Sequence, residues 1–370
     1  MNKKEKQKGN DESIVNVLEE GFSELDKANM IDLLEKFPQN IIDALYLGES
    51  FYFSNYLSAD SIKKIKNIVV LGMGGSAIGG DLLFNYLSGE LSIPLIVIRG
   101  YKKPKFINAN TLIFTISYSG NTEETICALK KCLEVGAKVI GLTSGGTIEL
   151  ISKKFNFPII KVPTGIQPRV AMPFLFFPVL KVLEKMKLIN KQSKDIEETI
   201  SVLFELSQKY SSKSPLKNNF AKKIARKLYQ YLPLVYGSEG LLEAVSMRWK
   251  TQINENSKWP CFYNVFPELN HNEIVGFEIK NKINKQIKII YLFDTEGSSH
   301  INQRMKITQN IIGDKVSEFI ICSTQGKEKL TRMFSLIYLG DMVSYYLAIL
   351  NKVDPSPVNY IENLKKELAK

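Results

Sequence analysis

Histidine and cysteine are scarce in this chain, and their scarcity limits the metal chemistry open to it. The 370 residues include two histidines and four cysteines. The cysteines (Cys127, Cys132, Cys261 and Cys322) have neither the spacing of metal ligands nor a histidine beside them in the sequence. We therefore expect reduced, buried thiols and no metal site.

Long apolar runs are absent as well. No apolar stretch reaches the roughly 18 residues that a membrane-spanning helix needs. The N-terminal sequence M-N-K-K-E-K-Q-K-G-N-D-E lacks the apolar segment of a secretory signal. The sequence thus predicts a cytoplasmic protein with no membrane partner.

Arginine is rare although the chain is basic. The formal net charge is +11, and lysine and arginine together number 49, but only six of these are arginine. The lysines are spread over nearly every segment, and no dense basic stripe alternates with aromatic residues. This distribution argues against nucleic acid as a partner, whereas a diffuse positive charge favours an anionic small molecule.

Strands and helices alternate along most of the chain. A length of 370 residues and an apolar fraction of 44% suit two domains with full cores. The pattern predicts an α/β fold with two doubly wound, largely parallel sheets of the flavodoxin-like kind. The expected boundaries are 1–60 for an N-terminal helical segment, 61–190 for the first domain, 191–231 for a helical connector, 232–350 for the second domain and 351–370 for a C-terminal segment with a helix.

Apolar periodicity locates the individual elements. Helices are expected between residues 11 and 60, where Ile14, Val17, Leu18 and Phe22 fall on one face. The last long helix, residues 329–350, is apolar enough to be buried. The expected strands are Ile68–Leu71, Leu95–Ile98, Leu112–Ile116, Lys138–Leu142, Phe157–Val162, Leu234–Tyr236, Ile287–Phe293 and Val316–Ile321.

A turn rich in hydroxyl groups follows the third predicted strand. The sequence there reads T-I-S-Y-S-G-N-T-E-E-T, and it includes Ser117, Ser119 and Thr122 just before a helix that begins near Glu123. Hydroxyls and unpaired backbone N–H groups at a helix N-terminus form a cradle for an anion. Phosphate is the anion that this turn suits best.

A glycine-rich turn follows the first predicted strand. It reads G-M-G-G-S-A-I-G-G-D from Gly72 to Asp81, with Gly75 and Ser76 near the start of a helix. Glycines let the backbone approach a ligand closely. Turns after neighbouring parallel strands converge at the carboxyl edge of the sheet, where open α/β folds bind their ligands. The two turns together therefore predict one phosphate site.

The glycine turn also matches the G-x-G-x-x-G/A pattern of dinucleotide-binding folds, through Gly72, Gly74 and Ala77. The acidic residue that binds the ribose should end the next strand, but this sequence has Ile98-Arg99-Gly100-Tyr101 there. An arginine at that place suits only a 2′-phosphate. An NADP-dependent reductase is therefore the lesser alternative.

Two segments of the second half are rich in titratable and amide groups: R-W-K-T-Q-I-N-E-N-S-K (248–258) and F-P-E-L-N-H-N-E (266–273). With the two turns, with Q-P-R-V-A (167–171) and with V-D-P-S-P-V-N-Y-I-E-N-L-K (353–365), they resemble the bifunctional phosphoglucose/phosphomannose isomerase family. The two halves of that family are SIS (sugar isomerase) domains. The two turns occur in many SIS proteins, whereas the segments at 248, 266 and 353 are more specific to this family.

The resemblance implies an aldose–ketose isomerase that works without a cofactor. It would interconvert glucose 6-phosphate or mannose 6-phosphate with fructose 6-phosphate through a cis-enediol(ate). Glu255 matches the catalytic base, and a carboxylate can move one proton between adjacent carbons. His271 matches the group that opens the sugar ring, and Arg169 matches the arginine that stabilises the enediolate. Lys365 matches a C-terminal lysine of the family, with Lys366 as the alternative.

The remaining implications concern binding and partners. Phosphate and sugar would be bound by Gly75, Ser76, Ser117, Ser119 and Thr122. Family members are homodimers whose histidine reaches the active site of the partner subunit, so the resemblance also implies a homodimer with shared sites. Another sugar-phosphate isomerase and a non-catalytic SIS sensor of sugar phosphates are the alternatives, although no helix-turn-helix module precedes the first α/β unit to suit a regulator.

Overall fold

The computed structural model describes residues 15–20, 22–279 and 281–368, and the chain divides into two compact units. One unit is Phe37–Ile200, and the other combines Met1–Lys36 with Ser201–Lys370. Each contains one parallel sheet. Ile14 and the rest of residues 1–14, which belong to the predicted N-terminal helical segment, lie outside the described residues.

Short helices precede the first strand, as the periodicity predicts. They are α1 (residues 15–20), α2 (Phe22–Leu25), α3 (Met30–Glu35), α4 (Phe37–Ser50) and α5 (Ala59–Lys63). The Asp26 carboxylate accepts hydrogen bonds from the N–H groups of Met30 (2.8 Å) and Ile31 (2.9 Å). It thereby pairs donors that the first turn of α3 leaves unsatisfied.

The sheet of the Phe37–Ile200 unit has five strands in the order β2-β1-β3-β4-β5, and all neighbouring strands are parallel. Its strands are β1 (Asn67–Leu71), β2 (Leu95–Ile98), β3 (Thr111–Ile116), β4 (Lys138–Thr143) and β5 (Ile159–Lys161). All five predicted strands are present. The prediction of Phe157–Val162 was too long for β5, because Pro158 has no N–H to donate to the ladder.

Helices follow every strand of this sheet except β2, which leads directly to β3. They are α6 (Gly74–Leu87), α7 (Glu123–Glu134), α8 (Gly146–Phe155) and α9 (Met172–Lys185), and α10 (Ser193–Tyr210) comes next along the chain. The division between the units falls within α10, after Ile200. The predicted connector 191–231 contains α10 and α11 (Phe220–Leu228).

The second unit has a four-stranded parallel sheet in the order β7-β6-β8-β9. The strands are β6 (Leu232–Ser238), β7 (Phe262–Phe266), β8 (Ile287–Phe293) and β9 (Glu318–Ser323). Sequence analysis missed β7, a five-residue edge strand with an asparagine at its centre, which lacks a buried apolar signature. The prediction of Val316–Ile321 for β9 was two residues early, because a turn ending at Lys315 precedes the ladder.

The remaining helices of this unit are α12 (Glu243–Ser257), α13 (Ser299–Ile312), α14 (Lys329–Leu350) and α15 (Asn359–Leu368). By length and composition α14 could cross a membrane, but its apolar window is 100% buried within the protein. This confirms the prediction of a buried last long helix. A long, apolar, buried helix of this kind is typical of a protein core.

The cysteines are free thiols, and Cys132, Cys261 and Cys322 are buried. Cys127 is half-buried, so the prediction of burial was wrong for this residue. Burial raises the pKa of the Cys132 thiol to about 11. Such a thiol is protonated and unreactive near neutral pH.

Candidate active site

The strand order of the first sheet reverses between β1 and β3, and the two predicted turns leave the sheet at this point. Gly72 follows β1, and a Cβ at Gly72 would lie 3.2 Å from the carbonyl oxygen of Ile116, the last residue of β3. The two chain segments therefore leave the sheet side by side. In a flavodoxin-like sheet the crevice at such a switch point is the usual ligand site.

The hydroxyl-rich turn connects β3 to α7. Ser117 is 1% exposed, and its Oγ lies 2.8 Å from Thr122 Oγ1, so one hydroxyl donates to the other across the turn. Ser119 is exposed, and its Oγ accepts a hydrogen bond from the Asn121 N–H at 3.3 Å. Helix α7 begins at Glu123, as predicted. The turn thus presents hydroxyls and the N-terminus of a twelve-residue helix at one edge of the sheet.

The hydroxyl-rich turn packs directly against the loop that follows β4. Gly120 has φ +69°, and a Cβ there would lie 1.7 Å from the Gly145 carbonyl oxygen. The Asn121 carboxamide oxygen accepts hydrogen bonds from the N–H and the hydroxyl of Thr147, both at 2.9 Å. Asn121 therefore caps the first turn of α8 from a different loop. Only glycine at position 120 permits this approach.

The glycine turn connects β1 to α6, which begins at Gly74. Ser76 lies in the first turn of α6 and is 5% exposed. Its neighbour Gly75 packs against the segment Q-P-R-V-A: a Cβ on Gly75 would lie 3.2 Å from the Pro168 carbonyl oxygen and 3.6 Å from Arg169 Cα. Arg169 is 5% exposed. A residue far away in sequence is thus brought to the start of α6.

These contacts unite six predicted residues in the Phe37–Ile200 unit. They comprise two helix N-termini, three hydroxyl-bearing side chains of the β3–α7 turn with a fourth at the start of α6, and an arginine whose backbone touches the glycine turn. The combination suits an anion that carries further polar groups, because the donors come from different directions. The members are Gly75, Ser76, Ser117, Ser119, Thr122 and Arg169.

The other unit contains the remaining predicted residues, beginning with Glu255. This residue lies in the last turn of α12 and is half-buried. It lines a cavity of about 710 Å³ together with Lys258, Trp259 and the residues 357–361, which include the first turn of α15. A carboxylate at the wall of a cavity this size can reach a bound small molecule.

Helix α12 is attached to α14 by a row of buried polar contacts. Arg248 Nη2 donates to Asp341 Oδ2 at 2.7 Å, and Gln252 Nε2 donates to Asp341 Oδ1 at 2.8 Å. One turn further on, Asn256 Nδ2 donates to Ser344 Oγ at 2.9 Å. The spacing of four residues places all three side chains on one helical face. This face holds α12 in place, and Glu255 is the residue next to its last member.

His271 and Lys365 are exposed residues of the same unit. His271 ends a short 3-10 helix, Glu268–His271, and no hydrogen bond to its side chain is present among the residues that the structure describes. Lys365 lies on α15, four residues beyond Ile361 of the Glu255 cavity. Neither side chain lines that cavity. The unit thus brings Glu255 next to the start of α15, but it does not gather all three predicted groups around one cavity.

Two residues that form hydrogen bonds within the cluster of the Phe37–Ile200 unit were not predicted. Tyr118 and Asn121 lie inside the hydroxyl-rich turn, where sequence analysis selected only the residues with small hydroxyl side chains. Their hydrogen bonds go to loops that follow β4 and β5. Since those loops become neighbours only through the strand order, no sequence signal could have identified the partners.

Gly120 offers a direct test of the packing between the turns. We expect Gly120→Ala to destabilise the protein by more than the ~1 kcal/mol that an alanine at positive φ costs, because its Cβ would overlap the Gly145 carbonyl as well. Gly136→Ala is the matched control, since Gly136 has φ +73° and meets only the Ala109 Cβ, at 3.7 Å. Urea unfolding of both variants gives the comparison. Equal destabilisation would contradict the close contact.

Family comparisons agree with the division into two sheets. A profile described as "Bacterial phospho-glucose isomerase C-terminal SIS domain" matches residues 217–368, and a profile described as "SIS domain" matches residues 61–172. A crystal structure of a hypothetical protein from Thermus thermophilus superposes with a TM-score of 0.70 at 12% identity, covering 92% of this chain and 91% of that one. At this identity the likeness shows the fold alone.

Full-length relatives are more informative. A bifunctional phosphoglucose/phosphomannose isomerase of Caldicellulosiruptor bescii is 42% identical over 340 residues, which is 92% of this chain and 99% of that protein. The one from Thermoplasma acidophilum is 35% identical over 82% of this chain and 90% of its own length. The two SIS domains and this similarity over nearly the whole chain show that the protein belongs to the bifunctional phosphoglucose/phosphomannose isomerase family and is an isomerase.

Proposed function

We propose that this protein interconverts glucose 6-phosphate and mannose 6-phosphate with fructose 6-phosphate. The observation that carries the proposal is the convergence, at the β1/β3 switch point, of two helix N-termini, the Ser117–Thr122 hydroxyl pair and the backbone of Arg169. Such a site suits a phosphorylated polyol. The reaction itself is taken from the names of the relatives, whose similarity extends over 92% and 82% of this chain.

The phosphate would be bound by the hydroxyl-rich turn. Ser117, Ser119 and Thr122 would bind it through their hydroxyls, with Ser119 and one member of the Ser117–Thr122 pair as the donors, and the N–H groups at the start of α7 would add further donors. Gly75 and Ser76, at the start of α6, would contact the sugar. Because these groups lie on rigid strand-to-helix turns, the sugar would be bound in one orientation.

Glu255 would transfer the proton. Its carboxylate removes the proton from C2 of the open-chain aldose, the C–H electrons form the C1–C2 double bond, and the carbonyl electrons move to O1. The O2 hydroxyl proton then passes to O1 through solvent, the electrons of the O2–H bond form the C2–O2 carbonyl, and the electrons of the C1–C2 double bond take up the same proton, or one from solvent, at C1. Because C2 is trigonal in the enediolate, glucose and mannose phosphates lead to the same intermediate. One site can therefore accept both epimers.

The remaining groups would act on charge and on the ring. The Arg169 guanidinium would stabilise the negative charge on the enediolate oxygens, which is a task for a fixed cation. His271 would exchange the proton of the ring oxygen or of O1 during ring opening, with assistance from Lys365 or its neighbour Lys366. No step in this scheme requires a redox cofactor.

Turnover of both epimers tests the reaction. We expect fructose 6-phosphate to form from glucose 6-phosphate and from mannose 6-phosphate, in a phosphofructokinase-coupled assay, after the purified enzyme has been dialysed against EDTA. NADPH titrated against the protein fluorescence should cause no saturable change. Failure to turn over either epimer would contradict the proposal, and saturable NADPH binding would favour the reductase alternative.

Substitution of the base tests the mechanism. We expect Glu255→Gln to lower kcat by roughly 10²- to 10⁴-fold, because the amide cannot accept the C2 proton. Binding of fructose 6-phosphate should be retained, and tritium at C2 of the aldose should no longer exchange with solvent. Glu243→Gln, on the exposed first turn of the same helix, is the control and should match the parent enzyme. Exchange at the parent rate in Glu255→Gln would exclude Glu255 as the base.

We further propose that the protein is a cytoplasmic homodimer whose active sites include the histidine of the partner subunit. The exposure of His271, with no hydrogen bond to its side chain among the described residues, supports a role at a surface that meets another copy. No membrane is involved in this proposal. The reaction would connect aldose and ketose phosphates in glycolysis or gluconeogenesis.

Complementation tests the shared site. Glu255→Gln and His271→Ala chains, each inactive alone, are co-expressed with different tags. If the histidine comes from the partner, a mixed dimer contains one intact site of two. With half of the dimers mixed, we expect about a quarter of the parent activity. Co-expression of Glu255→Gln with Glu255→Ala is the control and should remain inactive, and the same inactivity in the first pair would place both groups in one chain.

A further inference from the structure

Tyr118 is a large aromatic residue inside the hydroxyl-rich turn, between the two serines of the proposed phosphate site. Its side chain points away from the surface: the residue is 8% exposed. Burial raises the pKa of its hydroxyl, which is therefore protonated and able to donate at neutral pH. A buried tyrosine hydroxyl needs hydrogen-bond partners, and the identity of these partners indicates what the residue does.

The hydroxyl of Tyr118 bridges two points of the loop that follows β5. It donates to the Pro163 carbonyl oxygen at 2.7 Å and accepts from the Ile166 N–H at 2.8 Å. Gly165, between these points, has φ +83°, so the loop makes a sharp turn around the hydroxyl. Since both partners are backbone groups, the contact fixes the path of the chain and not merely one side chain.

The backbone of Tyr118 makes a second attachment. Its carbonyl oxygen accepts hydrogen bonds from the Ser144 N–H at 2.9 Å and the Ser144 hydroxyl at 2.7 Å, in the loop after β4. One residue thus joins the loops after β3, β4 and β5. Because the β3 loop carries Ser117 and Ser119, this connection extends directly to the proposed phosphate site.

The loop that Tyr118 fixes leads straight to Arg169. Two residues separate the Ile166 anchor from the arginine. The segment is closed by hydrogen bonds from the Val170 N–H (2.8 Å) and the Ala171 N–H (3.1 Å) to the Gln167 carbonyl. Helix α9 begins immediately afterwards, at Met172. The backbone that carries Arg169 is therefore fixed on its C-terminal side by α9 and on its N-terminal side, at Ile166, by the Tyr118 hydroxyl.

We infer that Tyr118 is a positioning residue for Arg169, which it keeps at a fixed distance from the phosphate-binding serines. The inference rests on the proposed function, in which Arg169 stabilises the enediolate while the β3 loop binds the phosphate. Charge stabilisation by a guanidinium depends steeply on its placement, because a displacement of about 1 Å can cost a hundredfold in rate. Tyr118 would thus affect the chemical step more than the binding of phosphate.

The variant that tests this is Tyr118→Phe, which keeps the ring and removes both hydrogen bonds. We expect kcat to fall by roughly tenfold to a hundredfold. The inhibition constant of inorganic phosphate, which reports on the serine loop, should change by less than about twofold. The inhibition constant of a five-carbon aldonate 5-phosphate, whose carboxylate imitates the enediolate charge, should rise in proportion to the loss of kcat.

Tyr86→Phe is the matched control. Tyr86 is a buried tyrosine of the same unit whose hydroxyl also has two hydrogen-bonding partners, the side-chain acceptors Gln192 and Asp195 (2.8 Å to the latter). It lies at the far end of α6 from the proposed site, so its variant should retain the parent kcat and both inhibition constants. Melting temperatures of both variants establish that the assays are made on folded protein.

Each outcome decides a different point. Parent-like kcat and aldonate inhibition in Tyr118→Phe would overturn the inference, and so would an equal weakening of both inhibitors, since Tyr118 would then act through the phosphate loop. If Tyr118→Phe does not fold, Ile166→Pro removes the N–H donor while leaving the tyrosine, and the same pattern is expected. Absence of turnover in the parent enzyme would contradict the proposed function instead.

Discussion

The close approach of backbone segments at the carboxyl edge of the first sheet is the constraint on which the site depends. Gly72 lies against the end of β3, Gly75 against Pro168, and Gly120 against Gly145. At each position a Cβ would lie 3.2 Å or less from a carbonyl oxygen. Glycine is required at position 120, where a Cβ would overlap the Gly145 carbonyl oxygen, whereas at positions 72 and 75 a Cβ would press the neighbouring segments a few tenths of an ångström apart.

The second constraint concerns the helix that carries Glu255. Buried polar side chains on one face of α12 pair with Asp341 and Ser344 of α14. Removal of one partner from such a buried network leaves an unpaired polar or charged group, which costs several kcal/mol. Much of the segment R-W-K-T-Q-I-N-E-N-S-K thus serves to hold α12, while Glu255 lies at the wall of the cavity.

The two sheets share a parallel architecture but differ in chemistry at equivalent points. Ser117 follows β3 in the first sheet and pairs with Thr122. Asp294 follows β8 in the second, and its carboxylate accepts a hydrogen bond from Arg332 Nε at 2.8 Å. A carboxylate already paired with an arginine is a poor phosphate ligand, because its negative charge repels the anion and because the arginine beside it already has an anionic partner. At this position the edge of the second sheet therefore differs from the proposed phosphate site of the first.

The sequence by itself determined the α/β class, five strands of the first sheet within a few residues, and the residues of the two turns, because apolar periodicity and turn composition are local properties. It could not find β7, whose edge position leaves Phe262 and Tyr263 exposed. Only the tertiary structure placed Arg169 beside Gly75, gave Tyr118 its partners after β5, and assigned Arg248 and Gln252 to Asp341. Those contacts join residues far apart in sequence, and the order of the strands and the packing of the helices decide which of them meet.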